Sequence, residues 1–258
     1  MSLAVTLVQT TLAWEDPVAN RVHFDAILGT LSDTQLVILP EMFSTGFSMN
    51  SGALAEPMTG PTVEFLKQQA RRLDACICGS LIAREGDAYF NRFLLVEPGG
   101  KIHPYDKRHL FRMSAEHEHY SAGNRRSLIR LGKFSLFPQV CYDLRFPVFS
   151  RNNLDYDLLV YVANWPSARR EHWLALLRAR AIENQCYVIG VNRIGSDGNG
   201  VAYSGDSLVF DWNGEVLLDL GDRDATGRVQ LDRTALDNYR ARFPAWKDRD
   251  SFHIDNLD

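Results

Sequence analysis

Short apolar runs, each the length of a single strand, constrain this chain more than any other feature. Leu3 to Val8, Leu36 to Leu39, Ala75 to Ile82, Phe90 to Glu97, Phe134 to Cys141, Leu158 to Ala163, Cys186 to Arg193 and Ser207 to Asp211 all read as strands, since runs this short and this apolar suit a buried sheet. Between some of them the spacing turns helical. Asn20 to Thr30 is one such stretch, and Thr62 to Leu73 is another, with Phe65, Leu66, Ala70 and Leu73 on one face. Glu171 to Asn184 is a third, apolar at Trp173, Leu176, Leu177, Ala181 and Ile182. Glu97-Pro-Gly-Gly-Lys101 and Asp211-Trp-Asn-Gly-Glu215 are hairpin signals, the Asn213-Gly214 pair being the stronger. No linker or repeat interrupts the pattern. The reading is one α/β domain over residues 1–258, with mixed sheets and outer helices, a core from about 3 to 231 and a looser tail from 232 to 258.

Composition removes several functions. A net charge of -4 offers no basic excess, so no nucleic-acid partner is expected. The start, Met1-Ser-Leu-Ala-Val-Thr-Leu-Val-Gln, lacks the form of a signal peptide, and no apolar run approaches bilayer length. A soluble, cytoplasmic protein without a membrane partner is expected. Cys76, Cys78, Cys141 and Cys186 are too few and too irregular for a disulfide framework.

Of these, Cys141 alone closes an apolar strand and leads at once into a polar turn, Tyr142-Asp-Leu-Arg145, before Phe146-Pro147 suits a helix start. A thiol at a strand end facing a helix N-terminus has the geometry that lowers its pKa, although a single cysteine is more commonly inert core. Glu41 follows the run Leu36-Val-Ile-Leu-Pro40, and Lys107 follows Ile102-His-Pro-Tyr-Asp106. Each taken alone is equally a surface charge at a loop mouth.

Together, Leu39-Pro-Glu-Met-Phe43, Tyr105-Asp-Lys-Arg-His109 and Val140-Cys-Tyr-Asp-Leu-Arg-Phe-Pro147 resemble the three motifs of the nitrilase superfamily of carbon-nitrogen hydrolases, in the family's order Glu, Lys, Cys. The likeness runs from about Leu3 to Leu231. Glu41-Met-Phe-Ser-Thr-Gly-Phe47, Lys107-Arg-His-Leu-Phe-Arg112, Tyr161-Val-Ala-Asn-Trp-Pro166, Arg178-Ala-Arg-Ala-Ile-Glu-Asn184 and Asn192 to Gly200 resemble more narrowly the bacterial omega-amidases, which remove the distal amide of 2-oxoglutaramate or 2-oxosuccinamate. The resemblance implies a four-layer αββα sandwich and a homodimer, with helices beside 147–153 and 173–184 at the contact. It also implies a second glutamate after the lysine, best matched by Glu116 with Glu118 as rival, which would orient Lys107 or the substrate. Other small amides, nitriles or carbamoyl compounds are alternative substrates within the superfamily, as is a non-catalytic binding role.

These residue types suit amide hydrolysis. Cys141 can attack, Glu41 can take the thiol proton and return it to the leaving nitrogen, and Lys107 can favour thiolate and hold an oxyanion together with the Tyr142 backbone N–H. Arg145 can grip a substrate carboxylate bidentately, its alternative being an ion pair with Asp143 or Glu183. Phe43, Phe47 and Trp165 can wall a small acyl pocket, though aromatics are more often core. Glu116-His-Glu-His119 is the in-class rival, a metal site, but no further His cluster has metal spacing. No metal or cofactor is expected. Cys76-x-Cys78 reads as core, and Gly195 to Gly200 as a loop between strands.

Overall fold

The structure is a computed structural model describing residues 2–255 and Leu257. Those residues form two six-stranded sheets and a two-stranded ribbon. The strands are β1 (Ser2–Gln9), β2 (Leu36–Ile38), β3 (Cys76–Glu85), β4 (Ala88–Val96), β5 (Ile102–Asp106), β6 (Ile129–Leu131), β7 (Phe134–Val140), β8 (Leu158–Ala163), β9 (Tyr187–Asn192), β10 (Ile194–Ser196), β11 (Ala202–Ser204), β12 (Leu208–Phe210), β13 (Val216–Asp219) and β14 (Ala225–Asp232). The helices are α1 (Pro17–Leu28), α2 (Ser51–Leu54), α3 (Pro61–Leu73), α4 (Glu116–His119), α5 (Pro147–Ser150), α6 (Arg170–Asn184) and α7 (Arg233–Arg242).

The first sheet runs β14-β1-β2-β3-β4-β5 and the second β13-β12-β9-β8-β7-β6. In each, three central strands are parallel and the flanking strands antiparallel. Two-residue periodicity builds the layers. Val5, Leu7, Leu36, Ile38, Phe93 and Leu95 turn one face of the first sheet toward the second, into a core shared with Leu136, Val160 and Ile189. The alternate residues Val8, Val37, Ile77 and Leu94 meet Phe24 and Leu28 of α1 and Val63 and Leu66 of α3. Trp173, Leu177 and Ala181 of α6 cover the far side of the second sheet. Gly190 permits that contact, because a Cβ there would lie 2.5 Å from Leu177 and 2.6 Å from Trp173. The result is the αββα sandwich, with each fully buried large apolar side chain contributing about 1.5–3 kcal/mol.

Several boundaries differ from expectation for local reasons. Helix α1 begins earlier than Asn20 because the Asp16 carboxylate caps the Val18 and Ala19 amides and Pro17 takes the first turn. The strand expected to run through Cys141 stops at Val140, since Cys141 adopts a left-handed φ of 45°. The tail expected to be looser after Leu231 begins with α7, whose Leu236 joins the core. Both predicted hairpins form, Glu97 to Lys101 joining β4 to β5 and Asp211 to Glu215 joining β12 to β13. Among the described residues no helix is long and apolar enough to cross a membrane.

Candidate active site

Four side chains emerge just past strand ends and meet where the two sheets abut. Glu41 lies three residues past β2, Lys107 directly follows β5, Cys141 directly follows β7, and Asn164 directly follows β8. β2, β7 and β8 are parallel strands, and the crevice beyond their carboxyl ends is where α/β sheets place ligands.

Lys107 Nζ is 3.0 Å from Glu41 Oε1 and 2.9 Å from each Glu116 oxygen, and all three side chains are fully buried. Asn91 Nδ2 donates to Glu41 Oε1 at 2.7 Å and to Glu116 Oε1 at 3.2 Å. The other Glu41 oxygen accepts the Asn164 backbone N–H at 2.7 Å, and the Phe111 N–H donates to Glu116 Oε2 at 2.5 Å. Burial works against the Lys107 ammonium, yet the charges of Glu116 and then Glu41 outweigh it and raise its pKa, so the lysine is a fixed cation. Glu118, by contrast, is exposed. Of the two rival glutamates, the structure brings only Glu116 to the lysine.

Cys141 opens a 3-10 turn, Cys141–Arg145. Its thiol lies beside the Asn164 carbonyl, with Sγ 3.8 Å from that oxygen. A strand end facing a helix start suggested a lowered thiol pKa; the structure reverses this. Burial, followed by the charge of Glu41, pushes the thiol well above its ordinary value, with Lys107 opposing. The turn is too short to supply a helix dipole of any size. At rest the sulfur is a neutral thiol beside a carboxylate that can accept its proton. Tyr142 is the second residue of the turn, where backbone N–H groups have no intrahelical acceptor.

Asp143 fixes this turn to the lysine segment. Its carboxylate accepts from Tyr105 Oη at 2.7 Å, the Val140 amide at 2.9 Å, the His109 amide at 2.9 Å and His109 Nδ1 at 2.7 Å. Asp143 is therefore committed elsewhere and does not pair with Arg145. Arg180, on α6, donates to the Leu144 carbonyl at 2.7 Å and pairs with Glu183 at 3.0 Å.

Lys107 and Cys141 open onto a cavity of about 470 Å³ whose walls include Phe47, Arg145, Trp165 and Arg169. The Phe47 ring lies 5.1 Å from Lys107 Nζ. Arg145 stacks on Trp165 at 4.9 Å and donates to His172 Nδ1 at 2.9 Å, and among the described residues no carboxylate pairs with it. Phe43 is the exception among the expected wall residues. It is fully buried in the layer beneath the first sheet, edge-on to Phe24 at 5.3 Å, and does not reach the cavity.

The carbon-nitrogen hydrolase family profile matches residues 5–241. This chain belongs to that family. The hydrolase is 49% identical over 253 residues to the omega-amidase YafV of Escherichia coli K12, a match covering 98% of each chain. It is also 32% identical to a 2-oxoglutaramate amidase of Bacillus subtilis, over 96% of this chain and 98% of that one. Among solved structures it is similar to XC1258 from Xanthomonas campestris, a CN-hydrolase superfamily protein with an arsenic adduct in its active site. The identity there is 46%, the coverage 98% and 99% of the two chains, and the TM-score 0.97.

The Glu-His-Glu-His segment of the hydrolase forms the single helical turn α4, which turns Glu116 inward and leaves His117 and His119 outside. Among the described residues no group of three or more His, Cys, Asp or Glu could hold a metal. Cys76 and Cys78 are unpaired, and burial raises both thiols, Cys76 to about 11. Of the expected loop Gly195 to Gly200, Gly195 and Ser196 are part of β10; the turn that follows joins β10 to β11 and walls the cavity through Asp197 and Asn199. Sequence reasoning missed that, and missed Asn91, Asn164 and Arg169. Asn164 lies inside the quoted Tyr161 to Pro166 segment, and its position straight after an apolar strand matches that of Cys141.

Proposed function

We propose that this hydrolase is an omega-amidase, releasing ammonia from the distal amide of small 2-oxo acid amides such as 2-oxoglutaramate and 2-oxosuccinamate. The observation carrying this reading is one cavity with Cys141 and Lys107 at its base and an acid-free Arg145 on its wall. That arrangement gives a monoamide a reactive end and a carboxylate-binding end. The named activities of the Escherichia coli and Bacillus subtilis relatives support it.

In this mechanism Glu41 takes the Cys141 proton as sulfur attacks the amide carbon. The oxyanion that forms is held by the Lys107 ammonium and the Tyr142 N–H, such a donor contributing about 10²–10³-fold in rate. Glu41 passes the proton to the amide nitrogen, the C–N bond breaks, and ammonia leaves a thioester on Cys141. Water, deprotonated by Glu41, then attacks the thioester carbon. The C–S bond breaks, the acid departs, and the proton returns to sulfur. Glu116 takes no proton; it shares the lysine charge and orients the ammonium. Phe47 and Trp165 confine the acyl chain. The free thiols fit a cytoplasmic setting, and a homodimer is expected from the family.

Cys141→Ala is expected to abolish ammonia release from 2-oxoglutaramate while leaving the melting temperature within about 3 °C, the scale of a small change in packing. Turnover retained by that variant would remove the nucleophile assignment.

A further inference from the structure

We infer that Asn91 is a positioning residue for the acid–base pair, its side-chain amide bridging Glu41 and Glu116 so that two buried carboxylates share one lysine. This inference rests on the amidase mechanism above. Glu41 and Glu116 are two fully buried carboxyl groups set against the single ammonium of Lys107, and burial, with the neighbouring Glu41 adding to it against the pull of Lys107, raises the Glu116 pKa. Such an imbalance is unfavourable without further donors. A second cation would correct it but would also weaken Glu41 as a base. The primary amide of Asn91 instead offers two N–H donors and no charge, one to each acid, at 2.7 and 3.2 Å.

The orientation of that amide is dictated by its other end. Ser80 Oγ accepts the Met42 amide at 2.8 Å, which leaves its own O–H to donate to Asn91 Oδ1 at 2.9 Å. An amide rotated by 180° would set its oxygen against both carboxylates and its nitrogen against a donor. Asn91 and Ser80 are both fully buried, on the paired strands β4 and β3. The Asn91 carbonyl also accepts the Lys107 backbone N–H at 3.0 Å. One residue thus fixes the backbone of the cation and the side chains of both anions.

The charged and titratable groups facing this cluster are Glu41 after β2, Lys107 after β5, Glu116 on α4 and Cys141 after β7. Tyr120, held in its phenol form by burial, packs nearby and donates to the Ser48 carbonyl. Tyr203 is likewise a buried phenol, bonded to Asp197.

The test pairs Asn91→Asp, which keeps the shape and substitutes an acid, with Ser80→Ala, which frees the amide to turn. Two readouts are followed across pH: steady-state kinetics on 2-oxoglutaramate and the rate of Cys141 alkylation by iodoacetamide. Asn91→Asp is expected to lower kcat about 10- to 100-fold, the range for a lost hydrogen bond to a charged group, with KM within about threefold. A like charge beside the cluster disfavours its ionised members. The acid limb of kcat and the alkylation profile should therefore both move about one pH unit higher. Ser80→Ala should move both in the same direction by less, and it decides the matter if the aspartate variant does not fold. Profiles superimposable on wild type, or a fall in kcat without movement of either profile, would overturn the inference. If wild type fails on 2-oxo acid amides while the alkylation profiles shift as stated, the substrate reading fails and the role of Asn91 stands.

Discussion

A guanidinium lying over an indole, with one nitrogen donating to His172 and no carboxylate paired with it among the described residues, has donors left for an incoming acid, and this makes Arg145 the test of substrate class. Arg145→Ala should raise KM for 2-oxoglutaramate by about 10-fold or more, as expected for a lost charge-assisted contact, and leave simple aliphatic amides within about twofold. Equal losses on both substrate types, measured by ammonia release, would count against carboxylate recognition. At this scale the reactive residues were legible through the three family motifs they share; the break from apolar to polar at a strand end, as in Leu39-Pro-Glu41 and Cys141-Tyr-Asp143, is by itself equally a loop mouth. Their neighbours were not. Asn91 stands beside Arg92 in an otherwise apolar strand, and nothing in the pattern distinguishes an amide turned toward two carboxylates from one turned toward water. Phe43 and Phe47 lie four residues apart in one quoted segment, yet only packing decides that the first is core and the second faces the lysine.

Elements were legible in proportion to their burial. β7, β8 and β9 are buried along their whole length and read as mainly apolar runs, whereas β14 alternates between half-buried and exposed positions up to Leu231 and was not anticipated. β5 carries a proline at the rim of its sheet, and β10 and β11 have three residues each. The tail beyond β14 is ordered by charge as much as by apolar contact. Asp157 is almost wholly buried, accepts the Ser135 amide at 2.9 Å and pairs with Arg233 at 2.7 Å and Arg240 at 2.8 Å. No periodicity announces three partners so far apart in sequence. Asp157→Ala would leave the Ser135 amide without its acceptor and Arg233 and Arg240 with only their remaining partners, Asp237 and the Gln185 and Tyr156 carbonyls, and an expected loss of about 2–3 kcal/mol follows from the charged hydrogen bonds removed. Urea denaturation measures it; a change under about 0.5 kcal/mol would mean that α7 is held by Leu236 and its surroundings alone.

For the molecule as a whole, the sandwich buries many acidic protons. Burial raises the thiols of Cys78, Cys141 and Cys186 and the phenols of Tyr105, Tyr156 and Tyr161. In the unfolded chain the thiols ionise near 8.5 and the phenols near 10, while the folded chain keeps those protons. Above these values the unfolded state binds fewer protons, so stability falls as pH rises, by about 1.4 kcal/mol per pH unit for each group between its two pKa values. The melting temperature should hold level from pH 7 to 8 and decline from 9 to 11. Calorimetry giving a level curve to about pH 10.5 would mean that these groups ionise without unfolding. The meeting of the two sheets has a further consequence for the order in which the chain becomes competent. Glu41, Lys107 and Glu116 are synthesised first and belong to one sheet and its following segment, while Cys141 and Asn164 come later with the other. A nascent chain holding only β1 to β5 has base and cation but not Cys141, and β14, which completes the first sheet, is made after the whole of the second. The thiol gains its reactive partners only when the halves close, so the half-made protein holds a base, a cation and a thiol that are not yet one catalytic set.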